Sequence, residues 1–226
     1  MSFFITGTDT GVGKTLVSRA LLHAFIARGM NVVGFKPVAA GCDEDGHNDD
    51  AKALRAASAM QLSYGQVNPY CFPHAIAPHL AARRAGSRIE LGRIVEAYQE
   101  LTRQADEVIV EGAGGLLVPL NDRQTSADLA RELNLPVVVV VGMRLGCLNH
   151  ALLTMRAIAE YQLQCAGWVA NVLDAGMPAL QENIDSLRER IAAPLLGVIP
   201  YQAKPDAQIA AKYLQLQLLD KQEGHD

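Results

Sequence analysis

The sequence predicts an α/β fold: a single domain built on a mostly parallel sheet with helices on both faces. Three observations predict it. Six short apolar runs of strand length alternate with segments whose apolar residues recur every three or four positions, the pattern of right-handed strand–helix–strand crossovers. The first run leads into a glycine-rich turn from Gly7 to Thr15, of the kind whose backbone N–H groups close around an anion. Lys36, Glu111, Gly142, Asn171 and Pro200 stand where successive apolar runs end. The topology therefore gathers them on one rim, outside the carboxyl ends of the strands, where such sheets bind ligands.

Length and composition set the bounds. The 226 residues suffice for one substantial domain spanning 1–226, with residues 217–226 expected as a frayed tail. Half of the residues are hydrophobic and 19% are charged, which suits a globule with a full core rather than disorder. The purely apolar run 136–141 is far shorter than the roughly 20 residues a membrane span needs. The first residues enter a strand without a secretory pattern, so a cytoplasmic location and no membrane partner are expected. A net charge of −4 without a basic cluster gives no electrostatic footprint for nucleic acid. Cys42, Cys71, Cys147 and Cys165 are scattered without a paired spacing, and reduced thiols are expected.

The elements follow in order. Residues 3–5 form the first strand, and the loop after it carries Gly11, Val12, Gly13, Lys14, Thr15 and Leu16. Lysine and hydroxyl at its end are what terminal phosphates and a magnesium ion require. Gly7 and Gly13 are separated by five residues where the strict phosphate-loop pattern has four, so the loop is a variant. The competing account is a plain glycine turn with a solvated Lys14. Strand and helix context favour the phosphate loop, because Val17, Leu21 and Phe25 fall on one helical face that ends by Gly29. A P-loop NTPase-like fold follows.

Residues 31–35 form the next strand, ending at Lys36-Pro37, where proline is expected to stop pairing. An acidic segment, 41–50, leads into a helix with Ala51, Leu54 and Ala57 inward. Its carboxylates suit a helix start, and only Asp50 is read as functional. Residues 61–88, with Pro69, Pro73 and Pro78, read as a long loop over the sheet. A helix spans 89–101. Val108 to Val110 form a buried strand closed by a turn, Glu111-Gly112-Ala113-Gly114-Gly115, placing an acid where phosphate-loop enzymes keep a magnesium-side carboxylate. Helix 125–133 and the continuous apolar strand 136–142 follow, the latter suited to burial on both faces. A helix after Leu145, a strand at 166–170, a helix at 180–191 and a strand at 195–199 complete the pattern.

Five motifs in this order resemble the dethiobiotin synthetase family: the loop at 6–15, Gly-Phe-Lys-Pro-Val-Ala at 34–39, Val-Glu-Gly-Ala-Gly-Gly at 110–115, Leu-Gly-Cys-Leu-Asn-His-Ala at 145–151 and Gly-Trp-Val-Ala-Asn at 167–171. The resemblance covers roughly residues 2–201. It implies a homodimer that takes 7,8-diaminononanoate, carbon dioxide and ATP with Mg2+, and closes a ureido ring by way of a carbamate and a carbamic–phosphoric mixed anhydride. It implies that Gly11 to Leu16 wrap the phosphates, with Lys14 toward the γ-phosphate and Lys36 as a second catalytic cation. Thr15, Asp50 and Glu111 would hold the metal, and Gly112, Ala113 and Gly114 would lie on the ATP side. Asn171, Pro200 and Tyr201 would meet the adenine. Thr10, Ala40 and Gly41 would line the diamine site, and Leu148, Asn149 and His150 would meet the substrate carboxylate across the dimer interface. Two positions depart from the family: Ala40 stands where a serine is common, and Asn171-Val172 stands where Asn-Asp is common.

Two rivals share the loop and sheet. A switch-type ATPase acting on partners or membranes would carry a lysine early in the loop, where Thr8, Asp9 and Thr10 stand, and a basic terminal helix. The stripe Ile209, Tyr213, Leu214, Leu218 has too little basic charge for that and is expected to dock on the domain. A cobalamin-type amide ligase would need an ammonia supply for which the chain has no room.

Overall fold

The computed structural model describes residues 2–220. Its centre is a six-stranded, wholly parallel sheet. The strands are β1 (Phe3–Gly7), β2 (Val32–Phe35), β5 (Glu107–Gly115), β6 (Val137–Met143), β7 (Cys165–Val172) and β8 (Leu195–Ile199), in the order β2-β5-β1-β6-β7-β8. Every residue of β1 and of β6 is buried. Because successive side chains point to opposite faces of a strand, both faces of the sheet are covered. The covering helices include α1 (Lys14–Ile26), which packs with α2 (Asp49–Ala57) and α9 (Ala207–Ala211). Two further pairs are α5 (Leu91–Thr102) with α6 (Ser126–Glu132), and α7 (Cys147–Glu160) with α8 (Leu180–Arg190). No described helix is long and apolar enough to cross a membrane.

All six expected strands are present, with one correction that bears on the site. The glycine run expected to form a turn after Val110 is strand: β5 continues through Gly115, pairing Glu111 with Ile5 and Gly115 with Gly7. Here glycine serves close packing, since a Cβ on Gly112 would lie 3.1 Å from the Phe4 ring. Glu111 thus lies within a strand rather than at its end, and Gly142 and Asn171 each sit one residue before a strand end.

Four other expectations are corrected. Pro37 ends β2, but the chain forms β3 (Val38–Ala40) at once, which pairs in parallel with β4 (Tyr70–Phe72) as a second, two-stranded sheet. Proline lacks only the donor: the Pro37 carbonyl accepts from Tyr70 N at 3.2 Å. Residues 61–88 are accordingly not one long loop. They hold α3 (Tyr64–Val67), started by a Ser63/Gln66 capping box, then β4, then α4 (Pro78–Arg84) with Pro78 in its first turn.

The cysteines do not all remain free, because Cys42 and Cys71 form a disulfide; spacing gave no sign of it, since the pair is made by the unforeseen β3–β4 ladder. The expected frayed tail starts too early: α10 (Gln217–Asp220) is ordered, Leu216 and Leu219 are buried, and Asp220 pairs with Arg28 at 3.0 Å. Residues 221–226 lie outside the described residues. The expected terminal stripe docks only in part: Leu214 and Leu218 pack partly buried against the core, Ile209 and Tyr213 face solvent, and the segment is held by Ala210, Leu216 and Leu219, which lie outside the stripe.

Candidate active site

The loop between β1 and α1 turns on glycines at positive φ, Gly11 (74°) and Gly13 (93°). At Gly13 the left-handed conformation is matched by a lack of space, since a Cβ would lie 2.2 Å from Asn171 Nδ2. Asn171, on β7, donates from Nδ2 to Val12 O at 2.9 Å and so pins the loop to the sheet. Lys14 is buried and reaches back to Asp9 O at 3.0 Å. Burial lowers its pKa to about 8, helped by the Lys36 cation and opposed by Glu111, Asp50 and Asp9. Asp9 in turn accepts from Thr10 N at 2.7 Å and pairs with Arg144, just before α7.

Behind the loop lies a compact polar cluster. Lys36, 4% exposed, donates to Glu111 Oε1 at 2.6 Å, to Asp50 Oδ2 at 3.0 Å and to Gly112 O at 3.4 Å. Burial works against the Lys36 charge, but Glu111 and Asp50 outweigh it and hold the ammonium above its ordinary pKa. Asp50 is likewise resisted by burial and is held below the usual carboxylate range by Lys36 and the Thr15 hydroxyl. The Thr15 Oγ1 lies 2.7 Å from Asp50 Oδ1 and 3.0 Å from Glu111 Oε1. One hydroxyl proton cannot serve both carboxylates. Glu111 Oε2 is buried with no hydrogen-bond partner, the kind of orphaned acceptor that asks for a cation. Three hard oxygen donors with a spare lone pair fit a magnesium ion.

Three residues outside the expected set, Asn48, Asn68 and Tyr64, hold this cluster in place. Asn48, not an aspartate, is the N-cap of α2: its side chain accepts from Asp50 N at 3.0 Å and fixes where Asp50 starts the helix. Asn68 donates to the Lys36 carbonyl at 2.6 Å, and the Tyr64 hydroxyl joins the two asparagines, 2.7 Å from Asn48 N and 2.7 Å from Asn68 Oδ1. An asparagine immediately before an acidic helix start was the legible signal for Asn48; Asn68 and Tyr64 gave none.

In front of the cluster opens a cavity of about 740 Å³. The loop side brings Thr10, Gly11, Gly13, Lys14 and Thr15 to it, and the cluster brings Lys36, Asp50, Ala113 and Gly114. The opposite wall is apolar: Ala39 and Ala40 from β3, Ala75 to Ala77 ahead of α4 with Pro78 at its start, and Val118-Pro119. Of the expected residues, Val12, Leu16, Gly41, Glu111, Gly112, Asn171, Pro200, Tyr201 and Leu148 to His150 do not line this cavity. Pro200 and Tyr201 follow β8, and Leu148, Asn149 and His150 lie in the first turn of α7.

Comparison with known proteins bears directly on this site. A model of the AAA domain family matches residues 1–208. The chain is 53% identical to the ATP-dependent dethiobiotin synthetase BioD of Nitrosospira multiformis, over 95% of this chain and 94% of that protein. The chain belongs to the dethiobiotin synthetase family. A second member, the ATP-dependent dethiobiotin synthetase BioD of Aromatoleum aromaticum, is also 53% identical, over 93% of this chain and 95% of that protein. Among solved structures, the septum site-determining protein MinD complexed with Mg-ADP from Pyrococcus horikoshii superposes with a TM-score of 0.57 at 16% identity, over 99% of this chain and 97% of that one. At that identity the likeness shows the shared P-loop fold of this synthetase-family chain and no more.

Proposed function

We propose that this chain joins 7,8-diaminononanoate to carbon dioxide at the expense of ATP, closing the ureido ring of dethiobiotin and releasing ADP and phosphate. The carrying observation is the position of Lys36: a buried ammonium between two carboxylates, at the edge of a cavity lined by the glycine loop on one side and apolar on the other. A diamine on an aliphatic acid has matching halves. One amine of the substrate takes up carbon dioxide as a carbamate, a carbamate oxygen receives the γ-phosphoryl group, and the second amine then attacks the mixed anhydride and expels phosphate.

The chain's own residues supply position and charge. Backbone N–H groups from Gly11 to Leu16 hold the phosphates, with Lys14 at their end. Lys36 neutralises charge on the carbamate and the transferring phosphoryl oxygens; its raised pKa makes it a cation and not a base. Thr15, Asp50 and Glu111 would hold Mg2+, whose charge would balance that of the phosphate oxygens. Gly112 to Gly114 lie along the ATP phosphates, and Asn171, Pro200 and Tyr201 form the adenine side. Thr10 and Ala40 border the diamine, with Gly41 next in the chain and outside the lining, and Ala40 meets it with a methyl group and backbone in place of a hydroxyl.

The working unit is a homodimer, in which the first turn of α7, Leu148 to His150, offers helix-start N–H groups to the partner's bound carboxylate. Leu145 and Leu153, 100% and 59% exposed, flank that turn, and an apolar flank on a helix start suits coverage by a second copy. We place the enzyme in the cytoplasm, with its supply of ATP and bicarbonate.

Phosphate release measured with ATP and Mg2+ tests this: it requires the diamine and bicarbonate together. ATP hydrolysis equally fast without the diamine, or stimulated instead by lipid vesicles, overturns the reading.

A further inference from the structure

The disulfide lies outside the lining of the cavity, and each of its cysteines is joined along the chain to a segment that does line it. Ala39 and Ala40 of β3 face the cavity, and two residues on stands Cys42. Cys71 belongs to β4, in register with Ala39, and four residues after it begins the other apolar segment, Ala75 to Pro78. The Cys42–Cys71 bond, with Cα atoms 6.4 Å apart, therefore staples together the two segments that form this wall. Beside it only one backbone hydrogen bond, Gly41 N to Phe72 O at 2.8 Å, extends the ladder past Ala40.

The segment closed by the bond contains Asn48, Asp50 and Tyr64. Tyr64 Oη lies 3.4 Å from Cys71 Sγ and is the same hydroxyl that links Asn48, the cap of the Asp50 helix, to Asn68, the support of Lys36. The sulfurs thus adjoin both the apolar wall and the polar cluster. Each has a partner ready for its thiol form: Cys42 Sγ is 3.2 Å from Phe72 O, and Cys71 can accept from Tyr64. Both cysteines are partly exposed, whereas Cys147 is buried and burial pushes the Cys165 thiol up to about 11. Thiol chemistry therefore selects this pair. Disulfides inside cells are uncommon, and accessible ones exchange with dithiols.

We propose that Cys42 and Cys71 form a reversible thiol–disulfide site that sets the cavity's affinity for its diamine, tightening it when oxidised and loosening it when reduced. The identity of the diamine rests on the synthetase reading; the switch of the wall does not. In reduction, a thiolate of an external dithiol attacks one sulfur, and the other leaves and takes a proton. The second thiol of the reagent then resolves the mixed disulfide, so two electrons and two protons reach the protein and the reagent ends as a disulfide. Glutathione disulfide carries the same exchange in reverse.

The test uses the full chain equilibrated with dithiothreitol or with glutathione disulfide, the state of the pair being read by intact mass after alkylation. On reduction the KM for the diamine rises about fivefold or more while the KM for ATP stays within about twofold, a coupling of ordinary size. Cys42→Ser and Cys71→Ser each hold the higher KM and ignore reductant. Amide hydrogen exchange across residues 41–50 speeds up on reduction. An unchanged diamine KM with only a lower melting temperature reduces the bond to a brace and overturns the proposal, as does a redox response that survives in the serine variants. If neither state turns over the diamine, the synthetase reading fails by itself, and hydrogen exchange still decides: equal protection of 41–50 in both states ends the switch.

Discussion

Lys36 has three protons and meets three oxygens, on Glu111, Asp50 and Gly112. Replacing it with alanine leaves Glu111, fully buried, without its cation, a loss that costs about 3–5 kcal/mol of stability. Turnover falls further, by about 10²–10³-fold as for removal of a charge that stabilises the transition state, while the Kd for ATP changes little. Steady-state rates and calorimetric titration, run below the variant's melting point, separate the two; equal losses would place Lys36 in ground-state binding alone. Lys14 gives a pH dependence. With its pKa near 8 it loses its charge above that pH, so ATP affinity falls by up to about tenfold per pH unit from 8 to 9.5. Affinity that stays flat over that range would remove Lys14 from the phosphate contacts. Lys14, Lys36 and the two acids were legible in the sequence because chemistry restricts residue type there. The asparagines behind them were not, because a cap or a carbonyl support leaves no pattern of its own.

At the scale of elements, β1 and β6 were readable as apolar runs because burial on both faces leaves no polar alternation to misread. The second sheet was hidden by Pro37, which removes one donor yet leaves a carbonyl that the β3–β4 ladder uses. The glycines of β5 were misread because glycine signals a turn and a close strand approach alike; only the Phe4 ring against Gly112 decides between them. A similar approach fixes the C-terminal segment. A Cβ on Gly197 of β8 would lie 2.2 Å from the Tyr213 carbonyl oxygen, which is backbone and cannot swing aside. Gly197→Ala therefore destabilises the chain by about 1–3 kcal/mol by lifting residues 213–219 from the sheet. Urea unfolding followed by circular dichroism measures it, and an unchanged midpoint would show the segment to be loosely held.

For the whole molecule, the open question is the second copy. Sedimentation equilibrium is expected to give twice the 24.3 kDa chain mass, and Leu153→Asp, placing a charge on the exposed flank of α7, shifts it toward the monomer and raises the KM for the diamine. A monomeric protein with full activity would show that each site is complete within one chain. Family membership was readable from five motifs, but the assembly was not, since an exposed leucine has the same letter as a buried one.

The central position of β1 has a further consequence, for biosynthesis. Its ladder partners begin at Ile109 on one side and Val137 on the other, so the first strand made cannot pair until much of the chain exists. At a synthesis rate of about 5–20 residues per second, Phe3 to Gly7 wait on the order of 10 s for their neighbours, an apolar strand with both edges open. The nucleotide loop, encoded among the first residues, thus gains its supporting strands only after more than half of the chain has been made. A transcript cut short before β6 yields a chain that carries the whole loop sequence and still cannot hold a phosphate.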